Sequence, residues 1–221
     1  MAELQPLLAE AYPAFTEEAP ADASRGSRGV VAGSGDERWH DQIDPLLLDA
    51  CLEGDDAAWR RLHRLCYPKA AAFLRKLGVG ELDLDDAAQD VFLQLFRYLP
   101  SFRREAELAT WLYRVCITQA RSVRRRRRVT QTLSRLLALG AAPTLVSTPS
   151  LPDAVVRRRV EAALASLSEG DRAVFVLYEM EGLPGKRVAE IVSSPEASVW
   201  RRLHGARRVF RRALEAEEHT A

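Results

Sequence analysis

Cysteine and histidine are scarce: three and four respectively in 221 residues. Cys51, Cys66 and Cys116 are odd in number, far apart and set among apolar neighbours, which excludes a disulfide framework and a zinc spacing and predicts buried, reduced thiols. His40, His63, His204 and His219 share no segment. No Ser-His-Asp arrangement, phosphate loop or HExxH motif occurs, so no enzyme, metal or cofactor is expected. No run approaches the roughly 18 apolar residues of a membrane span. The amino-terminal MAELQPLLAEAYPAF has an early acid and no basic region before its short apolar part. These features predict a cytoplasmic chain that does not insert into a membrane. Convincing strand alternation and solenoid-length repeats are also missing.

What the chain does have is helical periodicity and clustered arginine. A hydrophobic content of 47 % is ordinary for a globular protein, and the formal net charge is only +1. That neutrality is an average over opposed patches. From Ser101 to Arg128 there are nine arginines against two glutamates, ending in five consecutive arginines, Arg124 to Arg128. Trp200 to Arg212 holds six arginines and no acid. The balancing carboxylates lie upstream, in Asp44 to Asp56 and Glu81 to Asp90. One face is therefore suited to phosphate and another to a basic partner.

Residues 1–42 carry Pro6, Pro13 and Pro20 with Ala, Gly and Ser and no sustained apolar period, which predicts disorder. Asp44-Pro45 reads as an N-cap followed by a first helical residue. A short helix should end at Gly54, and a second should run from Trp59 to Leu77. Asp83 is expected to cap a third, with Leu84, Ala87, Ala88, Val91, Phe92, Leu95, Phe96 and Leu99 forming one inner stripe up to Pro100. A fourth, from about Glu105, stacks Leu108, Trp111, Leu112, Val115, Cys116, Ala120 and Val123 inward and continues into the arginines. Residues 129–152, with Gly140, Pro143, Pro149 and Pro152, read as a linker with room for a short helix near Leu133 to Leu139. A second helical unit follows over 153–216, then a short tail, 217–221. The fold class is all-α: two small helical domains, 43–128 and 153–216, on a flexible tether.

Three constellations bear on function. Ala189, Ser193 and Val199 have the spacing of a helix-turn-helix, with a second helix from Glu196 to about Phe210 presenting Ser198, Trp200, Arg201, Arg202, His204, Arg207 and Arg208. An ordinary helical hairpin with a solvated basic face fits the spacing equally, and the six arginines favour DNA. In the first unit the arginine run extends a helix holding Trp111, Tyr113 and Arg114, behind the loop SFRREAEL with Phe102, Arg103 and Arg104. Aromatics interleaved with cations suit unstacked bases, whereas an arginine run by itself is a backbone-gripping surface. Trp111 fits the core stripe, which leaves Phe102 and Tyr113 as candidate base contacts. Asp83, Asp85, Asp86 and Asp90 are a conceivable magnesium cluster for a metal-dependent nuclease. With Gln89 and Leu93 beside them, Asp86 and Asp90 read better as a protein-binding face.

DDAAQDVFLQLFRYLPSFRREAELATWLYRV (85–115) and LASLSEGDRAVFVLYEMEGLPGKRVAEIVSSPEASVWRRLHGARR (164–208) together resemble a bacterial sigma factor of the extracytoplasmic-function (ECF) type, in the sigma-70 family. The resemblance covers about 43–128 and 153–216. It implies that Asp86, Gln89, Asp90 and Leu93 dock on the beta-prime coiled coil of RNA polymerase core. It implies that Phe102, Arg103, Arg104, Tyr113, Arg114, Thr118, Arg121, Ser122, Arg124, Arg125 and Arg128 melt and read the minus-10 element of promoter DNA. Glu196, Ala197, Ser198, Trp200, Arg201, Arg202, His204, Arg207 and Arg208 would read the minus-35 element. An apolar surface around Leu164, Leu167, Val174, Phe175 and Tyr178 would accept the beta flap, and an anti-sigma factor would hold the chain in reserve. The sequence departs from the family pattern at Thr118 and Ser122, where Asn and Asp are usual. It departs again at Ser193 in place of a turn glycine, at Pro184, and at Trp200 on the reading face. A helix-turn-helix regulator that never engages polymerase remains the alternative, and the nuclease a second.

Overall fold

The computed structural model describes Trp39 and residues 42–102, 107–137 and 152–218. Residues 1–38, 40–41, 103–106 (with Arg103 and Arg104), 138–151 and 219–221 lie outside the described residues, and so do the expectations placed on them.

The first helix starts where the sequence says it should. The Asp44 carboxylate accepts from the Leu47 N–H at 2.6 Å, and Pro45 opens α1, Pro45–Leu52. Gly54, at φ 86°, makes the turn, and Asp55 caps α2, Asp56–Lys76, by accepting from the Ala57 N–H at 2.7 Å. This helix runs through Pro68, an interior proline that costs about 3 kcal/mol. Burial of Leu62 and Cys66 before it and Phe73 and Leu74 after it holds both sides in register.

Helix α3, Glu81–Tyr98, is flanked by Gly80 and not by the expected Asp83. Asp83 sits inside the first turn, where its carboxylate accepts from Arg127 of a distant helix while still facing the positive end of the helix dipole. After a 3-10 turn at Leu99–Ser101 the chain re-enters helix as α4, Leu108–Leu137. It begins later than Glu105 and continues past Arg128, so the first part of the expected linker is helical. Arginine is a good helix former, and the run offers no glycine or proline to stop it.

The second half comprises α5, Pro152–Ala165, α6, Glu169–Phe175, α7, Gly185–Val192, and α8, Glu196–Glu218. Ser168 caps α6. A wide π turn, Val176–Met180, follows α6, and the Glu181 N–H donates to the Val176 carbonyl at 2.9 Å. Between α7 and α8, Ser193 adopts the left-handed conformation at φ 51°. Val199, Leu203 and Phe210 of α8 are buried with Val188 and Ile191 of α7, which is the locked helix-turn-helix that the spacing predicts.

Helices α2, α3 and α4 pack on one another with α1 against α2, and α8 packs on α5, α6 and α7. Among the described residues there is no strand, in line with the all-α expectation. The two halves are not held apart. Helix α4 lies along α7, and the buried apolar residues of both halves form one continuous cluster.

Candidate polymerase and nucleic-acid interfaces

The outer face of α3 combines acid with unprotected hydrocarbon. Asp86, Gln89 and Leu93 are exposed, in line with Leu82 and Phe96 at helical spacings of three and four. Phe96, expected in the inner stripe, is 55 % exposed and lies against Trp59 at 4.7 Å between ring centroids. Asp90 is half-buried, and its carboxylate accepts from the Gln119 side chain of α4 at 2.7 Å. It therefore braces α3 on α4, and the exposed acid of the face is Asp86 with its neighbour Asp85. The aspartates do not converge. Asp83 faces Arg127 and Asp90 faces Gln119, and no group of three or more His, Cys, Asp or Glu among the described residues could hold a metal ion.

Helix α4 divides into two flanks. Arg114, Thr118, Arg121 and Arg125 recur at four, seven and eleven residues and are exposed, with the Thr118 hydroxyl donating to the Arg114 carbonyl at 3.0 Å. Ser122 is half-buried and accepts weakly from Arg126. The other flank, with Tyr113, Ile117, Ala120 and Arg124, turns toward the second half of the chain. Tyr113, expected as an exposed base contact, is buried: its ring packs on Phe73 at 4.7 Å, and its hydroxyl donates to Glu181 at 3.0 Å. Burial, with the Glu181 carboxylate beside it, pushes the phenol well above its ordinary pKa, so it stays a neutral donor. Phe102 is half-buried against Tyr98, and Tyr98 stacks on Trp111 at 4.5 Å with ring planes 6° apart. That pair, overlooked in sequence because Trp111 fits the apolar stripe, is an aromatic platform beside a basic helix.

On α8 the exposed residues Ala197, Arg201, His204 and Arg208 share one face, with Glu196 and Arg202 beside it and Ser198 half-covered. Trp200 is not on that face as a free reader. Its ring lies over Gly185, where a Cβ would come within 2.5 Å of the indole, edge-on to Tyr178 at 5.2 Å, and its N–H donates to Glu196 at 3.3 Å. Trp200 thus sets how α8 sits on α7, a role that only glycine at 185 permits. Arg207 donates to the buried Glu179 at 2.6 Å and covers the Tyr178 ring, so it too supports the helix from behind. Burial raises the Glu179 pKa above its usual value, outweighing the Arg207 guanidinium. Leu164, Leu167, Val174, Phe175 and Tyr178, expected to offer an apolar surface, are all buried in the closed core.

Two family models match the chain, sigma-70 region 2 over residues 62–130 and sigma-70 region 4 over 157–209, together more than half of it. The chain belongs to the sigma-70 family of RNA polymerase sigma factors, in its ECF group. It is 26 % identical to the ECF RNA polymerase sigma-E factor of Haemophilus influenzae over 181 residues, 78 % of this chain and 95 % of that one. The sigma-E factor of Escherichia coli is 28 % identical over 74 % of this chain and 90 % of its own. The sigma factor CnrH of Cupriavidus metallidurans is 28 % identical over 80 % and 97 %. Among solved structures, CnrH in complex with the cytosolic domain of CnrY superposes with a TM-score of 0.58 at 23 % identity, covering 77 % of this chain and 96 % of that one. RpoE in complex with the anti-sigma factor NepR from Bartonella quintana gives 0.56 at 22 %, covering 71 % and 96 %. Both share the fold.

The sigma factor's region 2 thus comprises the α3 face and α4, and its region 4 the helix-turn-helix. Between them lies a polar seam that the sequence did not announce. Lys76 donates to Glu181 at 2.7 Å, and Arg172, buried on α6, donates to the Leu164 carbonyl at 2.5 Å and across the seam to the Leu77 carbonyl at 3.1 Å. The partners are separated by up to 105 positions, and no local pattern pairs them.

Proposed function

We propose that this sigma factor recruits core polymerase through the Asp86, Gln89, Leu93 and Phe96 face of α3 and reads promoter DNA through two arginine-rich helices. The observation that carries the reading is the placement of an exposed acidic and apolar stripe on α3, apart from the cationic faces of α4 and α8. Carboxylates beside exposed hydrocarbon suit a basic protein surface such as the beta-prime coiled coil, whereas the guanidinium faces suit phosphate. Arg121 and Arg125 would hold the strand while Tyr98, Phe102 and Trp111 take unstacked minus-10 bases. Arg201, His204 and Arg208, with Glu196, Ala197, Ser198 and Arg202, would enter the major groove at the minus-35 element. Capture of extruded bases offsets unstacking of a few kcal/mol, so the chain melts DNA by binding and makes or breaks no bond. Two modest DNA contacts on one chain depend on effective concentration, which polymerase sets by fixing their separation. The likeness to relatives that bind anti-sigma factors supports such a partner here.

Asp86→Arg tests the assignment against a regulator that ignores polymerase. It should abolish co-elution with core and run-off transcription from promoters selected out of a random library by the holoenzyme, with helicity unchanged. Retained co-elution and transcription would defeat the assignment.

A further inference from the structure

Within region 2, helices α3 and α4 are joined by two directed polar contacts. The Asp83 carboxylate accepts from Arg127, and the Asp90 carboxylate accepts from the Gln119 side chain at 2.7 Å. The later aspartate meets the earlier partner, so the helices run antiparallel, and the two contacts lie about two turns apart on each. Ala87, Ala88 and Val91 of α3 and Cys116, Ala120 and Val123 of α4 are buried in the same core, where hydrocarbon contact is non-directional. That contact governs how closely the helices approach, and the bonds govern how far one is slid along the other. Gln119 is 7 % exposed, so a slip of one residue leaves its amide buried without this acceptor. The same slip moves the outward-facing Arg121 and Arg125 by about 1.5 Å along the axis and turns them by about 100°.

We propose that Asp90 and Gln119 are positioning residues for promoter opening: their bond holds the minus-10 helix in one register on the helix that docks on polymerase, with Asp83 and Arg127 as a second anchor. The proposal rests on the reading of the outer face of α3 as the polymerase surface and of α4 as a DNA-binding helix. Asp86, Gln89 and Leu93 are exposed, whereas Asp90 is half-buried and turned to α4. One side chain thus ties the surface that polymerase holds to the helix that holds the strand. Polymerase bound to α3 then finds Arg121 and Arg125 already in place, and strand capture does not have to arrange them. The bond needs an acceptor at position 90 and no charge, which separates this role from ion pairing with a basic partner.

Three variants of the full chain test this in holoenzyme, read by co-elution with core polymerase and by permanganate reactivity of minus-10 thymines on a library-selected promoter. Asp90→Ala should co-elute with core as wild type does, yet lower permanganate reactivity about tenfold. Gln119→Leu should reproduce that split, although position 119 is too buried to touch polymerase or DNA. Asp90→Asn, which keeps an acceptor and loses the charge, should match wild type in both measurements. Loss of core co-elution in Asp90→Asn makes Asp90 a charge contact with polymerase and overturns the proposal. So does wild-type permanganate reactivity in Asp90→Ala and Gln119→Leu, or a joint loss of core binding and opening in both, which is the mark of a merely structural bond. If wild-type holoenzyme itself opens no promoter, the functional reading fails and takes the positioning role with it; if it opens promoters and the variants are silent, only the positioning role is lost.

Discussion

Gly78 and Gly54 share a φ of 86° and differ in what surrounds them. A Cβ at Gly54 meets nothing, whereas one at Gly78 would come within 2.0 Å of an Arg172 guanidinium nitrogen and 2.6 Å of one of Arg124. Gly54→Ala should therefore cost about 1 kcal/mol, the backbone penalty alone. Gly78→Ala should cost clearly more, because it also displaces two cations that hold the seam; urea unfolding of the two variants gives the comparison. Glu179 makes a pH prediction. Its pKa is raised from 4.5, chiefly by burial. Between that ordinary value and the raised one, the native state binds the proton that the unfolded chain has released. Its contribution to stability is thus fullest below the ordinary value and falls as pH rises through the native one. Relative to Glu179→Gln, wild type should lose stability in urea titrations as pH rises above the ordinary carboxylate range and through the raised native value. A gap that stays constant would show that burial does not govern this carboxylate.

Elements were legible in the sequence wherever the signal is local. The Asp44-Pro45 start, the α2 stripe and the Ala189, Ser193, Val199 spacing all appear where periodicity and capping place them, because helix entry and burial depend on neighbours within a turn or two. Boundaries governed by distant partners were not. Asp83 was read as a cap, yet Arg127 draws its carboxylate from another helix, and α4 outruns its expected end. Ser193 carries the element-scale prediction. A serine in the left-handed region pays a steric penalty that glycine avoids, so Ser193→Gly should stabilise the helix-turn-helix by about 0.5–1 kcal/mol, less the entropy glycine adds to the unfolded chain. Thermal unfolding measures it, and an unchanged or lower Tm would mean that the serine side chain contributes what the backbone loses.

At the scale of the whole molecule the halves share a core and a charged seam, so they should unfold together. Glu181 is the joint, since it receives both Lys76 and Tyr113 from the other half. Removing one member of a buried pair costs about 3–5 kcal/mol when nothing can relax. Here the halves can part, and the loss is capped at the free energy of docking. Glu181→Ala should accordingly turn a single calorimetric transition into two, each near the stability of its own half. One cooperative transition in the variant would show that the shared apolar cluster, rather than the carboxylate, joins them.

By itself the sequence determined that this chain is helical, that its charge is segregated into acidic and cationic segments, and that its second unit ends in a helix-turn-helix, because periodicity, capping and composition act over a few residues. Tertiary structure alone decided which candidate side chains face outward. Tyr113 turned inward to Glu181, Trp200 settled on Gly185, Arg207 went to Glu179 and Asp90 to Gln119. Each of those choices depends on a partner brought near by the packing of helices, and a contact formed across the fold leaves no period in the chain.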